Sequence, residues 1–386
     1  MRESLEKILK VKSQVCYFGT YEETYSRNQI MIKTLKRMGH EVKECHISLW
    51  GDKIDKTRTF VGVASKIQFV LRLMSIYPRL FIKYLFIGHH DIIFVGYFGH
   101  LDIFFIKLFS IFNKKKIVFD TFLSLYDTMV CDREMLKVGS FSARVVYSLD
   151  KYSCKLADVV ILDTYAHIDY FNNTFGTPRE KMARIFAGAD TEIFSPGVQR
   201  KQNGKFNVLF MGKYTPLHGI EFIVKAAEIM KDDTGIQFTF IGKGQLYQKI
   251  RGMVVDAQLD NIHFIEWVKY EELPQYIANT DVCLGIFSDS LKASRVIPNK
   301  VFQYMAMGKA IITARTPGIV EGLKNGENAL LCNPADPQDL SRAIIRLKED
   351  GSLMNKIASS ARETFLDVSG DNAIIHELEC VLERIH

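Results

Sequence analysis

No Cys-x-x-Cys pair occurs in this 386-residue chain, whose 7 cysteines fall singly at Cys16, Cys45, Cys131, Cys154, Cys283, Cys332 and Cys380. An odd, scattered set makes neither a disulfide framework nor a structural zinc site, and it fits a reducing compartment. Also missing is an uncharged apolar run of the ~18 residues that a membrane span needs. The opening MRESLEKILKVKSQ lacks the apolar core of a secretory signal. GxxxxGK[ST], GxSxG and HExxH occur nowhere, which removes P-loop, serine-hydrolase and zincin chemistry. Low complexity and disorder are excluded by 47% hydrophobic and 24% charged residues. The net charge of +6 is too small to imply nucleic acid, yet suits phosphate-bearing ligands or an anionic membrane surface.

What is present is a repeated α/β pattern. QVCYFGT, HEVKECHI, DIIFVGYFG, KKIVFDTF and ADVVILDT are short apolar runs that alternate with helical periodicity. After the polar stretch SPGVQRKQNGK come six more: NVLFMGKY, IQFTFIGKG, NIHFIEWV, DVCLGIF, KAIITA and ALLCNP. Strands apolar throughout, spaced by helices, imply parallel sheets covered on both faces. The reading is two doubly wound domains facing across a cleft. The first spans 1–195, 196–205 is a linker, and 206–365 is the second. A final helix, 366–386, crosses back to the first. The zone from Phe69 to Phe119 mixes large apolar groups with cations, and reads either as two core helices or as a face resting on anionic lipid. The expected location is the cytoplasm, with the inner face of the cell membrane left open.

Three stretches of the second half carry chemistry. GKYTPLHG (212–219) joins a strand to an amphipathic helix. Gly212 permits a tight turn, Lys213 and His218 add donors, and the helix start near Gly219 offers free N–H groups, a plausible diphosphate seat. The alternative is an ordinary loop with exposed cations. Gly242, Lys243 and Gly244 follow the next strand, where a lone GxG is as readily a tight turn. In RVIPNKVFQYMAMGKAIITA (295–314) a helix after Pro298 directs Asn299, Lys300 and Gln303 to one face, suited to hydroxyls and phosphate unless that face is merely solvated. Asp-x-Asp, the commonest metal clamp for sugar nucleotides, occurs nowhere, so phosphate chemistry here would rest on protein cations and helix ends.

In order along the chain these blocks resemble glycosyltransferase family 4, the retaining nucleotide-sugar enzymes of GT-B fold. IFAGADTEIFSP (185–196) resembles the family's interdomain segment, and NVLFMGKYTPLHGIEFIVKAA its G-[RK]-xxxx-KG block. FTFIGKGQL, HFIEWVKYEELPQYIANTDVCLGIF and QYMAMGKAIITARTPGIVEGLKNGENALLCNPADPQDL are similar to three further blocks. The resemblance is strong over about 185–350 and only in outline before that. It implies a UDP- or GDP-sugar donor, no other cofactor, no metal, and a glycan or lipid-linked acceptor of cell-envelope polysaccharide synthesis.

Carried over residue by residue, Lys213 falls on the basic residue that binds the donor diphosphate. His218 falls where the family has lysine, so a permanent charge becomes a titratable one. Arg295 and Gln303 fall on the two glutamates of the E-x7-E motif, the first near the transferred sugar and the second at the donor ribose. Both acids are missing, which leaves sugar identity, and activity itself, open. Lys300 is then a phosphate contact, and Val268 counts with the donor residues. On the acceptor side the resemblance implies Gly19, Thr20 and Tyr21. Asp120 is nearest a position where members often carry histidine, with Asp127 and the pair Asp132 and Arg133 downstream, and His100 at the same rim. Each can equally be a structural turn. A sugar-nucleotide epimerase and a non-catalytic sugar-nucleotide-binding scaffold remain alternatives.

Overall fold

The computed structural model describes residues 12–49, 63–200 and 203–385. In the first half these form β1 (Gln14–Gly19), α1 (Ser26–Arg37), β2 (Glu41–His46), α2 (Val63–Leu85), β3 (Ile92–Val95), α3 (Asp102–Asn113), β4 (Lys116–Phe122), α4 (Phe141–Leu156), β5 (Val159–Leu162), α5 (Tyr165–Phe175) and β6 (Met182–Arg184). The second half adds β7 (Phe206–Met211), α6 (Ile220–Ile229), β8 (Ile236–Ile241), α7 (Tyr247–Asp256), β9 (Ile262–Ile265), α8 (Leu273–Ala278) and β10 (Val282–Leu284). It ends with α9 (Asn299–Ala306), β11 (Ala310–Ala314), β12 (Leu330–Cys332), α10 (Pro337–Glu349), α11 (Gly351–Val368) and α12 (Asp371–Glu383).

Each half is one six-stranded parallel sheet, ordered β2-β1-β3-β4-β5-β6 and β12-β11-β10-β7-β8-β9. The apolar runs explain this. IIFV in β3 and VVIL in β5 are buried at every position, as strands covered by helices on both faces must be. Helix starts follow local chemistry: Ser140 accepts from the Ala143 N–H ahead of α4, and Thr164 accepts from the His167 N–H ahead of α5. The short β6 has no repeat long enough to register as a strand in the sequence, and it extends the first sheet to six strands.

Strand order locates the functional ends. The direction of winding reverses between β1 and β3 in the first sheet and between β7 and β10 in the second. In open α/β sheets ligands bind beyond the strand C-termini at that reversal. Those ends are Gly19 and Gly96 on one side, Gly212 and Gly285 on the other.

The lobes share a core. Phe122 of the first sheet packs in one cluster with Phe186 and Phe194 of the connecting segment and with Val301, Phe302 and Met305 of α9. At the chain end, Ile374, Leu378 and Val381 of α12 pack with Val15, Met31 and Leu35 of the first lobe. No helix of the described residues is long and apolar enough to cross a membrane.

Candidate functional site

β7 delivers the chain to Gly212, whose φ of 148° is strained for any residue with a Cβ. A Cβ placed there would lie 3.4 Å from His218 Nε2 and 3.8 Å from Lys300 Nζ. The two nitrogens thus border the same space, one from the loop before α6 and one from the first turn of α9. Gly242 explains the GKG block: its φ is 128°, and a Cβ would come within 2.0 Å of the Gly212 carbonyl oxygen. That glycine therefore lets one loop back up the other. Gly244 serves the same packing against the Tyr214 backbone, and Gly219 caps α6 tightly against Ser288.

Lys300 is 6% exposed, and its ammonium nitrogen has no hydrogen-bond partner among the described residues. Its neighbour is the face of Phe210, 3.8 Å from the ring centre. Burial pushes the amine well below the usual lysine value. His218 is likewise buried, with Nδ1 3.1 Å from Thr215 Oγ1. Burial first, and then the charge of Lys300, hold its imidazole well below its ordinary value, so it is neutral near pH 7. A neutral imidazole and an unpartnered amine meeting at a glycine can seat an anion: the amine gains a hydrogen-bond partner only when one arrives.

α9 differs from the sequence reading in one respect. Every residue from Lys300 to Ala306 is buried, so the polar face meets protein rather than water. Asn299 Nδ2 donates to Ser26 Oγ across the lobes at 3.1 Å, and Gln303 Nε2 lies 3.4 Å from the Tyr270 hydroxyl. Tyr270 borders a cavity of about 320 Å³ between the lobes, lined by Gln29 and Lys33 on one side and Trp267 on the other. Val268, half-buried, packs against the core shared by the lobes. Lys213 is exposed next to Gly212, and Lys243 pairs with Glu266 at 2.8 Å on the surface.

The remaining residues are engaged elsewhere. Arg295 points at the first lobe, with Nη1 2.8 Å from Asp127 Oδ1 and its guanidinium 3.9 Å from the Tyr170 ring centre. Asp120 is fully buried in a two-point pair with Arg27, at 2.8 and 3.2 Å. Burial pushes its carboxyl up and Arg27 pulls it back. Arg27 also donates to the Ile185 and Phe186 carbonyls, tying the first lobe to the connecting segment. Thr20 is held by Asp102, which accepts from its N–H at 2.7 Å, and a Cβ at Gly19 would strike the same carboxylate. Tyr21 donates to Glu44, and His100 lies 3.1 Å from Thr121 and 3.2 Å from Asp150. The site thus unites Gly212, His218 and Lys300, and joins Asp127 to Arg295. His100, Asp120, Thr20 and Tyr21 contact partners within the first lobe.

Sequence reasoning missed Arg27, Asp102 and Lys292. Lys292 is 4% exposed and reaches across to Thr128 Oγ1 at 2.5 Å. None stands in a motif, and only their distant partners mark them. Among the described residues no group of three or more His, Cys, Asp or Glu side chains could hold a metal ion.

Two facing parallel sheets with a cleft at their reversal points define the GT-B class. Over almost their whole lengths, two solved structures share it. Sucrose-phosphate synthase from Thermosynechococcus elongatus has a TM-score of 0.72 at 17% identity, covering 97% of this chain and 96% of that one. Anabaena HepE in complex with UDP-glucose has a TM-score of 0.70 at 16% identity, covering 96% and 99%. Residues 205–350 match the family described as Glycosyl transferases group 1. The second lobe is thus similar to group 1 glycosyltransferase domains, and the whole chain has a GT-B fold. The amylovoran biosynthesis glycosyltransferase AmsK of Erwinia amylovora is 23% identical over 216 residues, 54% of this chain and 52% of that protein. The chain thus spans about half the length of this curated relative.

Proposed function

We propose that the protein transfers a sugar from a nucleoside-diphosphate sugar to a hydroxyl of a glycan or lipid-linked acceptor, with retention at the anomeric carbon. The observation that carries this is the convergence of His218 Nε2 and the unpartnered Lys300 Nζ on Gly212, at the reversal point of a lobe similar to group 1 glycosyltransferase domains. In the reaction the anomeric C–O bond breaks and its electron pair goes to the diphosphate. The acceptor oxygen bonds to the same carbon, and its proton passes to the leaving phosphate oxygen. Lys300, neutral His218 as a donor, and Lys213 at the rim stabilise the developing charge in a poorly hydrated cleft. Gln303 replaces a carboxylate at the ribose, where an amide still hydrogen-bonds hydroxyls. The donor is a UDP- or GDP-sugar, bound without a divalent ion.

The acceptor side adds a surface. Ile67, Val70, Leu71, Met74, Ile82 and Leu85 of α2 are all exposed. Arg72, Arg79 and Lys83 lie on the same helix, and no acidic residue occurs between Asp55 and Asp91. Exposed apolar groups among unopposed cations suit an anionic bilayer, and a lipid-linked acceptor follows from that docking.

Thermal unfolding with UDP- and GDP-linked sugars, with and without magnesium, tests the donor. A shift for one nucleotide that persists in chelator is expected, followed by sugar transfer to lipid-linked saccharides. Binding without turnover on every acceptor would instead favour a sugar-nucleotide-binding scaffold. Absence of any shift would remove the donor site.

A further inference from the structure

The first lobe meets the phosphate loop through one turn. Residues Asp127–Asp132 wind as a π-helix, a form that concentrates at functional positions. Four contacts tie it to the other lobe. Asp127 takes Arg295, and Thr128 takes Lys292. Asp132 accepts from the Leu217 N–H, one residue before His218, and the Arg133 carbonyl accepts from Gln245 Nε2 at 3.2 Å.

Arg133 ends this turn half-buried, and its Nε is enclosed with no hydrogen-bond partner among the described residues. Asp132 is the carboxylate that acts on it, and that charge is shared with Lys292. The Arg133 guanidinium helps to depress both His218 and Lys292. Of the two carboxylates on the turn, Asp127 is already paired with Arg295. Arg133, Lys292 and Lys300 therefore crowd one end of the cleft with more positive than negative charge. Buried cations without partners are expensive, and such a cluster is stable only where an anion completes it.

We infer that Arg133, supplied by the first lobe, contacts the diphosphate of the bound donor from the side opposite Lys300, so that the anion is gripped by both lobes. The inference rests on the donor reading above. A guanidinium suits this role because its planar fork matches two phosphate oxygens at once, which an ammonium cannot do.

Calorimetric titration of inorganic pyrophosphate, UDP and GDP into wild type, Arg133→Gln and Arg133→Lys tests this, alongside the unfolding temperature of each ligand-free protein. Arg133→Gln should weaken pyrophosphate and the preferred nucleotide at least tenfold, and Arg133→Lys should recover part of the loss. The ligand-free Arg133→Gln protein should unfold at an equal or higher temperature, since a repulsive charge has gone. Nucleotide affinity unchanged in Arg133→Gln overturns the inference and leaves the donor reading standing. An earlier unfolding with intact affinity also overturns it, and marks Arg133 as a brace of the lobe contact. Pyrophosphate binding that depends on Arg133, without nucleotide binding, overturns the donor reading instead. If wild type binds none of the three, both fall.

Discussion

Lys300 Nζ rests 3.8 Å from the centre of the Phe210 ring and accepts no compensation from any hydrogen-bonding group among the described residues. Its folded pKa is depressed by burial, so the unfolded chain binds the extra proton between the folded value and about 10.4. Stability of the free protein therefore rises with pH through that window. Lys300→Met should flatten this rise without lowering stability at neutral pH, while nucleoside-diphosphate affinity falls at least tenfold, or ~1.4 kcal/mol. Urea unfolding across pH 7–10 and calorimetry check both halves. An anion also restores the charged amine, so binding to wild type at alkaline pH should take up protons, and binding to the variant less.

Arg27 and Asp120 lie 93 residues apart in sequence and are both wholly buried. Removing one partner strands the other charge, at a cost of about 3–5 kcal/mol. Asp120→Asn should lose close to that amount in denaturant unfolding, and Arg27→Met combined with Asp120→Leu should recover most of it. Transfer activity per folded molecule should change little. A large fall in kcat with normal stability would return Asp120 to the reacting groups.

That pair also marks where sequence reading stops. The eleven strands visible as apolar runs, and the glycine loops after them, follow from local pattern, because strand burial and tight turns are written in neighbouring residues. Asp120 could be placed at a strand end but not matched to Arg27, since nothing local links residues so far apart. For α9, the polar positions were legible and their surroundings were not. A polar face normally means water, whereas here Asn299 meets Ser26 of the other lobe and Gln303 meets Tyr270. The convergence of His218 with Lys300 needs the β7 loop and α9 to be set side by side, which only tertiary structure does.

On the proposed reading Arg295 takes the place of a sugar-facing glutamate, yet it spans the lobes to Asp127. Restoring the acid should therefore not restore a family-like site. Arg295→Glu would set two carboxylates against each other, with Asp127 fully buried. The expected outcome is loss of a few kcal/mol of stability and a larger radius of gyration in small-angle scattering, with transfer reduced. A compact variant with raised turnover would show that residue 295 faces the donor in the working enzyme.

The α2 surface separates charge from apolar burial. Leu71 is 61% and Met74 67% exposed, so changing them leaves the core intact. Each basic residue near an anionic surface contributes about 1 kcal/mol, and each buried methylene about 0.8 kcal/mol. Arg72→Gln with Arg79→Gln should reduce sedimentation with anionic vesicles severalfold and abolish most of its salt dependence, with little change on neutral vesicles. Leu71→Gln with Met74→Gln should weaken association with both vesicle types, because acyl-chain contact is independent of headgroup charge. Equal losses from the two double variants on anionic vesicles, and a loss on neutral vesicles from the second alone, would fix the helix as lying in the interface. Wild type that stays in the supernatant at low salt would overturn the membrane docking while leaving the donor site untouched, since α2 contributes no residue to it.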